Sequence, residues 1–257
     1  MAIERIKSML ELCSTDDTVF PPTILYNEGW MLRLVLDWFA THRDNDHYLS
    51  FPKDGKWYSE ALLPSAFLPR YRGDKYAESW THADGVIGHF EIGRDSDGDL
   101  TLLPDGTSLK VLEAKMFSKL SSGTTHAKYY NQAARNVACV AEILKRTNRK
   151  PSDIQALAFY VVAPKVQIEE GVFSKLMSLD SVQATVARRV NEYDESKEQW
   201  YKGWFLPTLE TIDIRTISWE EIVSRISEAD SSAGKAIKEF YDLCLKYNRL
   251  EATMLTF

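Results

Sequence analysis

Apolar and polar positions along the chain alternate first with a helical period. Ile3, Ile6, Met9, Leu10 and Cys13 share one face, which predicts a helix over about 3–13. The paired prolines of "DDTVFPPT" end it, because a proline ring cannot sit inside a helix. Thr23 is placed to cap a second helix, "ILYNEGWMLRLVLDWFATH", through about residue 41. Residues 45–80 are mixed, with turn signals at "KDGK" and "PSAFLPRYRGDKY". "ADGVIGHFEIG" reads as a strand, and "RDSDGD" as a polar turn between strands. A calcium loop counted from Asp95 would need Gly and Glu where Leu100 and Gly106 stand, so that reading fails.

"LTLLPDGTSLKVLEAKM" then predicts a strand, a Pro-Asp-Gly turn and a second strand. "HAKYYNQAARNVACVAEILKR" predicts one long helix. "IQALAFYVVAP" is too apolar to be wet on either face and predicts a central strand. Helical patterns follow over 169–178 and 181–199, then a strand at "TIDIRTISW" and helices over about 218–250. This order predicts an α/β fold with a mixed central sheet flanked by helices on both faces. A single domain over 1–257 is expected, with the first and last helices packed on it. No repeat, low-complexity tract or long linker interrupts it.

"VLEAKM", residues 111–116, departs from this apolar regularity. Strand side chains alternate between faces, so Glu113 and Lys115 point one way while Leu112, Ala114 and Met116 point the other. One face is expected to be core and the other charged, either wet or a site.

Length and composition narrow the classes. At 257 residues, 44% hydrophobic and 26% charged, the chain can bury a core without staples. No apolar run approaches the roughly 18 to 20 residues of a membrane span, and the N-terminus lacks a signal-peptide apolar region. Cys13, Cys139 and Cys244 are scattered and show no zinc spacing, which points to a reduced, cytoplasmic protein. The net charge of −6 speaks against a general nucleic-acid binder, yet Lys110–Lys150 carries nine Lys/Arg against two acids. A local basic stretch can hold a polyanion, or it can be a solvated helix face.

Further residues bear on Glu113 and Lys115. Asp84 opens the preceding strand in "HADGVIG" and could lie beside Glu113 across a sheet. Two adjacent carboxylates repel unless a cation sits between them. The plain alternative for Asp84 is a turn former before Gly85. Lys128, Gln132 and Arg135 fall at spacings of four and three on the predicted long helix, a polar row suited to phosphate or to plain solvent. Glu28 shares an apolar helix stripe with Met31, Val35 and Trp38, where a lone carboxylate is costly. The plain alternative is an N-terminal acid favoured by the helix dipole.

Asp84, then Glu113-Ala114-Lys115 on the next long strand, then a helix bearing Gln132, resembles the PD-(D/E)XK nuclease superfamily. The resemblance spans residues 24–163, with "TIDIRTISWEEI" a further candidate stretch. Ala83 stands where the name-giving proline would be. The resemblance implies a restriction-endonuclease-like fold and a metal-dependent DNA endonuclease or exonuclease. It implies that Asp84, Glu113 and the Ala114 carbonyl hold Mg2+, for which Mn2+ would substitute. Glu28 would be an outer or second-metal ligand, Lys115 would orient water and offset phosphate charge, and Gln132 would position substrate. An ordinary lysine, with a pKa near about 10.4, is a poor base and a better charge stabiliser.

DNA is the expected substrate in preference to RNA, with Lys128 and Arg135 as further contacts. No membrane partner is expected. A homodimer is compatible with the resemblance, which leaves oligomeric state open. Two other classes remain: a catalytically silent nuclease-like fold that binds nucleic acid or protein, and an α/β domain whose Glu113–Lys115 pair is a solvated salt bridge.

Overall fold

A computed structural model describes residues 1–43, 46–93, 98–193 and 197–254, with side chains through 249. The strands in chain order are β1 (Lys56–Leu63), β2 (Thr81–Gly88), β3 (Phe90–Ile92), β4 (Leu100–Leu102), β5 (Ser108–Ala114), β6 (Ala156–Ala163) and β7 (Asp213–Ser218). The first helices are α1 (Ala2–Glu11), α2 (Glu28–Thr41) and α3 (Gln132–Arg146). Between β6 and β7 lie α4 (Lys165–Glu169), α5 (Ser174–Met177), α6 (Leu179–Tyr193), α7 (Lys197–Trp200) and α8 (Leu206–Thr211). The helices α9 (Trp219–Ala229) and α10 (Ser231–Met254) follow β7.

Five strands make one mixed sheet in the order β1-β2-β5-β6-β7. β1, β2 and β5 pair antiparallel, and β5, β6 and β7 run parallel. Parallel neighbours require crossovers, and α3 supplies the one from β5 to β6. β5 is buried at every position and β6 at all but its first, as strands covered on both faces must be. One apolar cluster joins α3 and α6 to one face of the sheet, and a second joins α2, α9 and α10 to the other. The architecture is α/β, with helices on both faces.

Local chemistry sets the helix starts. Asn27, not Thr23, caps α2 by accepting the Trp30 N–H at 3.0 Å, while Thr23 lies in a short 3-10 turn, Pro22–Ile24. Asn131 caps α3 by accepting the Ala134 N–H at 3.1 Å. The helix expected from residue 126 therefore begins at Gln132, and 126–131 belong to a loop.

Two other expectations change. The Pro-Asp-Gly turn forms, with Gly106 N–H donating to the Leu103 carbonyl at 2.9 Å, but its flanking strands do not pair. β4 joins β3 in a separate two-stranded ribbon, and β5 enters the main sheet. The strand expected over "ADGVIGHFEIG" breaks at His89, where the ribbon leaves the sheet. β1 falls within the stretch read as mixed. The turn expected at "RDSDGD" falls largely on 94–97, outside the described residues.

Gly85 brings α2 onto the sheet. A Cβ there would lie 2.9 Å from Leu32 and 3.0 Å from Leu36, so only hydrogen leaves room for the helix. The close approach also brings the N-terminus of α2, and with it Glu28, to the end of β2.

Candidate active site

The β2–β5 ladder runs from Gly88 opposite Leu109 to Gly85 opposite Leu112. One further step in that register sets Asp84 opposite Glu113, and there the backbone pairing stops. The Asp84 carboxylate takes over, with Oδ2 accepting the Ala114 N–H at 2.8 Å. A side chain in place of a carbonyl wedges the two strands apart. Lys115 N–H donates to Val162 on β6 at 2.8 Å, so alternation turns the Ala114 carbonyl toward the fork beside Asp84.

The other edge of Asp84 is also irregular. Glu60 of β1 lies across from it with φ +60°, and the Asp84 carbonyl accepts the Ser59 hydroxyl at 3.2 Å. A left-handed non-glycine residue costs on the order of 1–3 kcal/mol and persists only where neighbours hold it. Arg33 of α2 pairs with the Glu60 carboxylate at 3.3 Å.

Glu113 is 1% exposed. The charged face expected to be either wet or a site is thus a buried one, because α3 and its preceding loop cover it. Glu113 Oε1 accepts from Lys115 Nζ at 2.5 Å and from Gln132 Nε2 at 2.6 Å. The Gln132 amide is anchored at its other end, where Oε1 accepts the Ser121 N–H at 3.0 Å. Glu113 Oε2 is buried and receives no hydrogen bond. Burial first, and the adjacent Asp84 carboxylate second, push the Glu113 carboxyl up to about 8, against the pull of Lys115. Burial likewise raises Glu28, whose charge is felt by both Lys115 and Asp84.

Five of the residues singled out from the sequence, Glu28, Asp84, Glu113, Lys115 and Gln132, thus converge, with the Ala114 carbonyl beside them. Three carboxyl groups face one ammonium, and a buried carboxylate oxygen has no donor. Such a site holds either a shared proton or a cation. Among the described residues no three Asp, Glu, His or Cys side chains form a preformed metal cage. Mg2+ does not demand one, since it is held by one or two carboxylates plus waters and substrate oxygens. No family model, curated protein or solved structure matches the chain.

The basic row does not form. Lys128 is exposed on the loop before α3, because Asn131 starts the helix after it. Arg135 lies on α3 but is partly buried, and its charge acts on buried Glu78. It is part of the protein's internal electrostatics rather than a solvated neighbour of Lys128. Lys128 belongs to a tightly folded 121–128 loop, in which a Cβ on Gly123 would lie 2.2 Å from the Lys128 backbone and Ser121 N–H donates to Gln132.

Two positioning residues had no local sequence signal. Trp219 Nε1 donates to the Lys115 carbonyl at 2.9 Å. Gln167 accepts the Phe117 N–H at 3.1 Å, where the chain turns away with φ +72°. Together they fix the exit of β5 and so the direction of Lys115. Both lie far along the chain, and only the parallel sheet brings them close.

Proposed function

We propose that this chain is a metal-dependent nuclease, hydrolysing phosphodiester bonds of DNA on a restriction-endonuclease-like fold of the PD-(D/E)XK kind. The observation that carries this reading is Glu113: one oxygen is held by Lys115 and Gln132, and the other is buried without a donor beside Asp84. Asp84, Glu113 and the Ala114 carbonyl would hold Mg2+ or Mn2+, with Glu28 further out. Once bound, the ion supplies Lewis acidity and a more acidic water.

This chain's own groups do the rest. Gln132 locks the Glu113 rotamer, so the carboxylate is set before substrate arrives. Lys115 stands where its ammonium can offset charge growing on a phosphoryl oxygen. Trp219 and Gln167 keep that lysine aimed. Lys128 offers a phosphate contact from the loop beside the fork. The three unpaired, buried cysteines suit a cytoplasmic setting. Among the described residues no helix is long and apolar enough to cross a membrane.

A second reading is a silent nuclease-like module that binds nucleic acid or protein. The close Lys115–Glu113 pair favours it, as does the want of a preformed cage among the described residues. Calorimetric titration with Mn2+, alongside cleavage of supercoiled plasmid and oligonucleotides, separates the two. Binding and cleavage that both vanish in Asp84→Asn support the nuclease. A wild-type protein that neither binds Mn2+ nor cuts DNA belongs to the second class.

A further inference from the structure

The loop 69–80 and the loop 121–128 bound an open cavity of about 580 Å3, lined by Tyr71, Arg72, Trp80 and His126 over buried Glu78. The two loops are tied together where the Thr124 hydroxyl donates to Glu78 at 3.2 Å. The aromatic cluster beneath, Phe67, Tyr130 and Tyr193, belongs to the core on the α3 face. Glu113 projects to that same face, since it alternates with Leu109 and Val111 of the same cluster. Trp80 precedes Asp84 by four residues, so at most about 14 Å separates them. That is about four nucleotides of stacked strand.

The chemistry of the cavity is specific. Tyr71 is 61% exposed, and Arg146 lies over the Trp80 ring at 5.5 Å, holding that ring while it lines the cavity. The acids of the loop are consumed internally: Asp74 pairs with Arg70 at 2.8 Å, and Glu78 with the fully buried Arg189 at 3.3 Å. Arg72 and Lys75 on the first loop, and Lys128 at the end of the second, two residues from His126, remain exposed. The rim is therefore cationic on a chain whose net charge is −6, and its walls are aromatic. Apolar ligands have no use for the cations, and a rigid duplex offers no free base faces to the rings. Single-stranded nucleic acid uses both, since aromatic side chains stack bases while a cationic groove tracks phosphates.

We infer that this cavity is a base-stacking subsite for single-stranded DNA, with Tyr71 and Trp80 as the platform and Arg72, Lys75 and Lys128 on the backbone. The choice of ligand rests on the nuclease reading of Asp84, Glu113 and Lys115. It makes the substrate a single strand, or the unpaired stretch of a branched or frayed duplex.

Fluorescence anisotropy in EDTA, with a labelled single strand and its duplex, tests binding apart from hydrolysis. The single strand binds more tightly than the duplex. Tyr71→Ala/Trp80→Ala weakens single-strand binding by about tenfold to a hundredfold. Tyr71→Phe retains it, and the surface change Tyr71→Ala alone weakens it with an unchanged melting curve. Equal affinity for both forms, or alanine variants that bind as the wild type does, overturns the inference. Cleavage in Mg2+ is scored separately. A protein that stacks the single strand without cutting it keeps this subsite and loses the nuclease reading. One that cuts, with Tyr71→Ala binding normally, loses only the subsite.

Discussion

Glu113→Gln is the most informative single change, because it separates the buried carboxyl from its geometry. The glutamine keeps an acceptor for Lys115 and Gln132, and its amide can donate to Asp84 where Oε2 now has no partner. The native carboxyl rises from 4.5 to about 8, chiefly through burial. A raised acid favours the folded state while it stays protonated. Its contribution is complete below about pH 4.5 and is lost as the pH climbs to about 8, since the unfolded chain ionises first. At about 1.36 kcal/mol per pH unit the loss is at most about 5 kcal/mol. For a chain of this size that corresponds to a melting shift of about 10 °C.

Wild-type stability without metal should therefore fall between pH 5 and 8 relative to Glu113→Gln, and the variant should be the more stable at pH 8. Mg2+ or Mn2+ should restore the wild type and leave the variant unmoved, because a ligand stabilises only the state that binds it. Denaturation curves across pH, with metal and with EDTA, read all of this. Parallel pH profiles for the two proteins would refute the account of a buried carboxyl at the fork with one oxygen left without a donor.

Four further changes probe the surroundings. Lys115→Ala should lower DNA turnover by about two to three orders of magnitude while Mn2+ affinity holds or rises, and unchanged turnover would return the pair to a structural role. Lys128→Ala should reduce the slope of log affinity against log salt by about one, read from binding isotherms at several salt concentrations. Arg135→Ala should instead reduce stability more than affinity, because its charge faces Glu78. Arg189→Ala strands Glu78 in the core and should cost about 3–5 kcal/mol in urea denaturation, so a loss below 1 kcal/mol would show that water reaches that carboxyl.

Much of the site was legible because it is local in the chain. Glu113 and Lys115 are two apart on a strand, and period-two alternation alone puts them on one face. The apolar run of β6 announced an interior strand, and the spacing of Met31, Val35 and Trp38 announced the buried face of α2. Asp84 beside Glu113 was legible only as a possibility of two adjacent strands, since register depends on where the ladder begins.

The tertiary structure decided what local pattern could not. It buried Glu113, because a charged position on a strand says nothing about what packs over it. It moved Lys128 off the helix, because Asn131 captures the Ala134 amide and starts α3 after the lysine. It turned Arg135 inward toward Glu78, a residue far away in sequence. It recruited Trp219 and Gln167 through parallel pairing of β5, β6 and β7, whose contacts span long crossovers. It also folded "PRYRGDKYAESW" against the 121–128 loop into a cavity. Periodicity in a sequence reports which face of an element is apolar. Which elements meet, and which charges lose their water when they do, follows from long-range packing that no local window contains.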